Sequence, residues 1–137
     1  MRITTLVLAL CGCGGAAQYG SFVQVATQTQ AAIAADAARK LAADYDAAQV
    51  RVRIAQDARD PFGRSFAAQL RKAGFAVKSG EGGAIGAQLR VRYVVDKLKG
   101  TDLLRLSLFV ERRTLSRAYA RRSGAVYPAG PWSIGGP

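Results

Sequence analysis

Two stretches of strict alternation constrain this chain more than any other feature. Leu89, Val91, Tyr93 and Val95 are interleaved with Arg90, Arg92 and Val94, and Leu104, Leu106, Leu108 and Val110 with Arg105, Ser107 and Phe109. Side chains of a strand point alternately to opposite faces, so each stretch is predicted to be a strand with one apolar and one largely solvated face. A sheet built from such strands needs a covering layer, and the upstream chain supplies helices. Gln28 to Tyr45 is rich in Ala, with Ile33, Ala37, Leu41 and Tyr45 on one helical face and Asp36, Arg39, Lys40 and Asp44 largely off it. Asp60-Pro61-Phe62 is a strong helix start, because Asp caps free N–H groups and Pro suits the first turn. Phe62, Phe66, Leu70 and Ala73 follow at helical spacing, and Gly74 supplies a stop.

Shorter signals complete the order. Val50 to Ile54 alternates as a half-buried strand, and Phe75 to Lys78 reads as a brief one. A turn near residues 99–102 joins the two long strands, and Leu115 to Ala120 makes a last strand with weaker alternation. The expected fold is α+β: a two-layer sandwich with two helices packed on one face of a mainly antiparallel sheet of four to five strands. The expected organisation is a signal peptide over residues 1–12, a Gly- and Ala-rich flexible tether over 13–27, a globular domain over 28–122 and an extended Pro/Gly/aromatic tail over 123–137.

Composition restricts the chemistry. The 137 residues suffice for one domain, and 20 Lys and Arg against 9 Asp and Glu give a formal charge of +11. That surplus favours anionic partners without choosing among nucleic acid, lipid headgroups and acidic proteins. There is no His, and the only cysteines are Cys11 and Cys13. The body of the chain therefore has no thiol nucleophile, no Cys/His metal site and no internal disulfide, and the commonest general base is missing. No catalytic residue, metal site or bound cofactor is expected, and the chain is not read as an enzyme.

The N-terminus reads as an address. Met1-Arg2 is cationic, Ile3 to Leu10 is mostly apolar, and Leu10-Cys11-Gly12-Cys13 follows. This is the pattern of a secretory signal, and the apolar run is far short of the roughly 20 residues a transmembrane helix needs. The segment resembles the lipobox of bacterial lipoproteins, with Leu10 and Gly12 fitting if Cys13 is the acceptor. That resemblance implies cleavage before Cys13 and a covalent diacylglycerol and acyl modification there, holding the protein on a membrane. Gly14 rather than Asp after the cysteine implies the outer membrane, with the domain facing the periplasm.

Three further features are candidates for binding. Arg51, Arg53, Arg90, Arg92 and Arg105 occupy outward strand positions and, with Arg112, Arg113, Arg117, Arg121 and Arg122, could form a continuous basic face. The sharp reading is a module for nucleic acid or anionic envelope polymer; the plainer and preferred one is a solvated surface. Few aromatics are expected beside these arginines, so no stacking platform for single strands is expected. Gly80, Gly82, Gly83 and Gly86 lack the context of a phosphate loop and read as a connecting loop. In the tail, Tyr127, Pro128, Pro131 and Trp132 either strap across their own domain or insert into a partner.

Together, the lipobox, Asp60-Pro61-Phe62-Gly63, Leu89-Arg90-Val91-Arg92-Tyr93-Val94-Val95-Asp96 and Pro128-Ala129-Gly130-Pro131-Trp132 resemble the TrbH family of conjugal-transfer lipoproteins, from about Cys13 to Trp132. The resemblance implies a structural component of a conjugative type IV secretion system. Such a component would dock to and stabilise the outer-membrane and periplasmic core, its partners being secretion-system core proteins in a ring-shaped hetero-oligomer. By looser analogy the element order is similar to DotD and to the amino-terminal ring domains of secretins.

Overall fold

A computed structural model describes residues 18–80 and 88–136. The expected signal peptide, Cys13 and the Gly82–Gly86 part of the glycine-rich loop lie outside the described residues. Ten elements follow in order: β1 Gly20–Ser21, α1 Thr27–Asp44, β2 Arg51–Ile54, α2 Pro61–Lys72, β3 Ala76–Ser79, β4 Gln88–Lys97, β5 Leu104–Val110, β6 Arg113–Arg122, β7 Ala125–Pro128 and β8 Ser133–Gly135.

The sheet corrects the expected fold class. Among the described residues it has eight strands rather than four to five, it is mixed rather than mainly antiparallel, and it curls into a half-barrel. The two-layer sandwich does not form, and the analogy with DotD and secretin ring domains built on it falls with it. Connectivity gives the physical reason. The α2 crossover returns the chain to the end where β2 began, so β3 pairs parallel to β2, with Arg53 beside Lys78. β2 also runs parallel to β4, with Arg53 beside Arg90, and β1 parallel to β4 at Val94 and Val95. Antiparallel pairing begins only where hairpins do. The β5–β6 turn has Glu111 at φ 53°, and the β6–β7 turn has Ser123 and Gly124 at 49° and 77°, the left-handed pair a two-residue hairpin requires.

One edge of β4 is served by three successive segments. After β2 ends, the Ala55 amide still donates to the Val91 carbonyl at 2.9 Å. The Gln56 side chain then stands in for a missing strand: its Oε1 accepts from the Tyr93 amide at 2.7 Å and its Nε2 donates to the Tyr93 carbonyl at 3.3 Å. β1 takes over beyond, and the Phe22 amide donates to the Val95 carbonyl at 2.8 Å. A buried Gln thereby satisfies backbone groups that would otherwise be orphaned.

The inward positions of the alternating strands form the core. Leu89, Val91, Tyr93 and Val95 meet Leu104, Leu106, Leu108 and Val110, and Val52, Ile54, Leu115 and Tyr119 join them. Helix α1 brings Ile33, Ala34, Ala37, Ala38 and Leu41, its alanines allowing close approach, and α2 brings Phe62, Phe66 and Leu70. Phe62 packs on both Phe66 and Tyr93, with ring centroids 5.5 and 4.7 Å apart. Burying each of these large side chains contributes about 1.5–3 kcal/mol.

The Asp60-Pro61-Phe62-Gly63 motif works as a unit. The Asp60 Oδ1 accepts from the Gly63 amide at 2.8 Å, a helix cap, while its Oδ2 accepts from the Tyr93 hydroxyl at 2.6 Å. The same carboxylate therefore starts α2 and pins it to β4. Gly63 makes this possible, because a Cβ there would strike both the Tyr93 hydroxyl and the Ala58 backbone. Helix propensity alone would make Gly63→Ala stabilising by about 1 kcal/mol. The contact predicts the opposite sign, a loss of about 2–3 kcal/mol in urea denaturation.

Candidate functional site

The tail is held against its own domain by a polar cluster centred on Asp36. This residue lies beside Ile33 and Ala37 on α1 and is buried. Its Oδ2 accepts from the Tyr119 hydroxyl at 2.6 Å and from Arg117 Nη1 at 2.9 Å, while its Oδ1 accepts from Arg39 Nη2 at 3.3 Å. Arg117 reaches further: its Nε donates to the Gly130 carbonyl at 2.8 Å, and its guanidinium lies 5.5 Å from the Trp132 ring centroid. One arginine thus joins α1, β6 and the segment between β7 and β8. The Ala129 amide adds a bond to the Ala118 carbonyl at 2.8 Å.

Sequence patterning misplaced both partners of this cluster, with Asp36 assigned off the apolar face and Arg117 to the basic surface. Leu115, Arg117 and Tyr119 instead share the inward face of β6, which explains the weak alternation of that strand. An arginine at an inward position was the available signal. Arg113 likewise turns toward α1, donating to the Tyr45 hydroxyl at 3.2 Å and lying 3.7 Å from an Asp44 carboxylate oxygen. The arginines expected to form one continuous surface therefore divide between two faces.

On the outer face, Arg51, Arg53, Arg90 and Arg92 do gather, and Lys78 joins them through the β2–β3 register. Arg53 is braced by Gln88 Oε1 at 2.9 Å and the Gly80 carbonyl at 3.2 Å. Arg92 Nε donates to the Ala55 carbonyl at 3.0 Å, and the guanidinium sits 4.9 Å from the Tyr19 ring centroid. Tyr19 meets Phe109 edge-on with centroids 5.5 Å apart, so aromatics stand beside these cations after all. With Arg90, Arg92 and Glu111 they line a depression of about 280 Å³. Arg105 stands apart, paired with Asp96 at 2.6 Å at the opposite end of β4.

The tail residues also separate. Trp132 is half-buried against the core, whereas Tyr127 is 51 % and Ile134 60 % exposed, with Pro128 and Pro131 also at the surface. Tyr127 and Pro128 flank a shallow depression of about 500 Å³ together with Ala120, Arg122 and Ala129. Among the described residues no group of three or more His, Cys, Asp and Glu side chains could hold a metal ion. No helix among them is long and apolar enough to cross a membrane. The described surface offers charge and exposed aromatic area.

Two buried tyrosines make the fold sensitive to alkali. Burial first, and then the bonds to Asp60 and Asp36, hold the Tyr93 and Tyr119 hydroxyls well above the ordinary value of 10.0. The folded chain thus keeps protons that the unfolded chain releases. The stability this supplies is complete below about pH 10 and is lost as the pH climbs toward the folded values, at about 1.4 kcal/mol per unit for each tyrosine. Urea titrations are expected to show no contribution from these groups between about pH 8 and 9 and to approach that slope between about pH 10 and 11, roughly halved in either Tyr93→Phe or Tyr119→Phe.

A model of the family described as conjugal transfer protein TrbH matches residues 16–136. No curated protein and no solved structure matches the chain. The matched span contains the α2 cap motif, the long β4 strand, and the cluster that fastens the tail. The chain belongs to the TrbH family and is a component of conjugal transfer.

Proposed function

We propose that the chain is a lipid-anchored structural component of a conjugative type IV secretion system, docking to and stabilising its outer-membrane and periplasmic core. The family match over residues 16–136 is the observation that carries this reading. The anchor rests on separate support, because the match begins after Cys13: the cationic start, the apolar run and Leu10-Cys11-Gly12-Cys13 stand in the order a lipoprotein signal requires. In this reading Cys13 carries the lipid, and the protein faces the periplasm from the outer membrane. Its role is structural rather than catalytic, in keeping with a chain that has no His.

Docking to core subunits is assigned to the exposed ridge of the tail, Tyr127, Pro128 and Pro131, with Ile134 beside it. The cluster around Arg117 supports this assignment, since it fixes the backbone behind the ridge and lowers the entropy lost on association. Trp132 contributes from beneath as a support rather than as a contact, its ring facing Arg117. Tyrosine offers much contact area with few rotors to freeze, which suits an interface anchor.

Two measurements test the proposal. Cys13→Ser is expected to move the protein from the membrane to the soluble periplasmic fraction and to lower mating frequency. Unchanged fractionation contradicts the anchor. Tyr127→Ala is expected to leave thermal stability and membrane attachment intact while weakening co-purification with core subunits, by about 2 kcal/mol of association energy. Full retention of those subunits contradicts the assigned ridge.

A further inference from the structure

The sheet face turned away from the helices carries a row of cations with an aromatic border, and the tail ridge makes no use of it. Lys78, Arg53 and Arg90 stand side by side across β3, β2 and β4, with Arg51 exposed one pleat away and Arg92 further along β4. Next to Arg92 lie Tyr19 and Phe109, and Phe22 is 58 % exposed, with its ring tip beside Gly20 on the β1 edge of the same face. Among the described residues, the carboxylate lining the depression beside Arg90 and Arg92 is that of Glu111, and its Oε1 accepts from the Arg90 amide at 2.7 Å.

Chain length adds an independent constraint. Tyr19 follows Cys13 by six residues, and six residues span at most about 20 Å when fully extended. A lipid on Cys13 would therefore hold the aromatic end of this face within about 20 Å of the bilayer surface. We infer that this face rests on anionic phospholipid headgroups, with Lys78, Arg51, Arg53 and Arg90 against phosphates and Tyr19, Phe22 and Phe109 at the polar–apolar boundary. The inference rests on the lipid-anchor reading for its proximity, while the surface itself belongs to the folded domain.

The composition of the face selects this occupant. Cations beside amphipathic or apolar rings match a headgroup layer, where charge and hydrocarbon lie a few ångströms apart. A nucleic-acid backbone would satisfy the cations but offers no apolar layer to cover Phe22. Electrostatic attraction to an anionic surface is worth roughly 1 kcal/mol per Lys or Arg and is screened by salt.

The test uses the mature chain from residue 13 carrying Cys13→Ser, so that no acyl chain contributes, in co-sedimentation with vesicles. Binding is expected to phosphatidylglycerol-containing vesicles at low salt, to weaken as salt rises, and to be absent with phosphatidylcholine alone. Arg51→Glu/Arg90→Glu is expected to weaken it by at least about thirtyfold, the loss of two attractions before the added repulsion is counted. Arg121→Glu/Arg122→Glu, which changes net charge equally at the β6–β7 turn, should bind as the parent does. Lys78→Glu alone provides a second reading should the double variant fold poorly. Equal loss in both double variants, no binding to anionic vesicles, or displacement of vesicles by a duplex oligonucleotide or polyglutamate at lower concentration would each overturn the inference. The anchor is read separately, by the mass of the protein recovered from cells. An unlipidated Cys13 refutes the anchor alone, and absent vesicle binding refutes the face alone.

Discussion

A buried carboxylate on helix α1 is the interaction on which the arrangement of the C-terminal half depends. Asp36 is buried on α1 beside the core residues Ile33 and Ala37, where an unpaired negative charge would cost several kcal/mol. Arg117 and Arg39 pair with its charge, Tyr119 hydrogen-bonds it, and the Nε side of Arg117 holds the Gly130 carbonyl while its guanidinium faces Trp132. Charge pairing therefore does more than fasten a helix to a sheet. It fixes where the chain goes after β7, and so determines which tail residues reach solvent. Asp60 performs the corresponding task for α2, holding its first turn to Tyr93. Each helix is thus tied to the sheet by an aspartate–tyrosine bond across the core, one to β6 and one to β4.

Much of the architecture was legible where a periodic pattern was long. The two alternating strands, Leu89 to Val95 and Leu104 to Val110, bury the positions their period predicts, and both helices begin within a residue or two of their expected starts. Sheet topology was not legible in the same way. Alternation specifies which face of a strand is buried but not the direction of its neighbour, so the parallel pairing of β1, β2 and β3 was lost to a default of hairpins. The strand–helix–strand order at residues 51–79 was the signal for a parallel pair. Strands β1, β7 and β8 are short, and two of them lie among Gly and Pro, which made their segments read as irregular.

The candidate site was legible in part, for a related reason. Alternation places Arg51, Arg53, Arg90 and Arg92 outward, and they lie outward together. Arg105 could not be separated from them without knowing that Asp96 sits opposite it. Patterning alone puts the inward arginine Arg117 at the surface, because charged side chains are rarely buried without a partner. That partner, Asp36, lies 81 positions away in sequence. Buried ion pairs between distant segments leave no local periodicity, and a break in an otherwise apolar face is the trace they do leave. The same pairing rearranges the functional picture: Trp132 supports the tail from within, Tyr127 and the prolines form its outer ridge, and the basic residues of β2, β3 and β4 lie on the outward face of the sheet, away from the cluster.

The central claim is that Asp36 and Arg117 act as one unit holding helix and tail together. A double-mutant cycle with Asp36→Ala, Arg117→Ala and the combined variant, read by urea denaturation, tests it most directly. Each single variant is expected to cost about 3 kcal/mol, and the pair far less than the sum, giving a coupling energy of about 2 kcal/mol. Additive losses, with coupling under about 0.5 kcal/mol, would contradict the account.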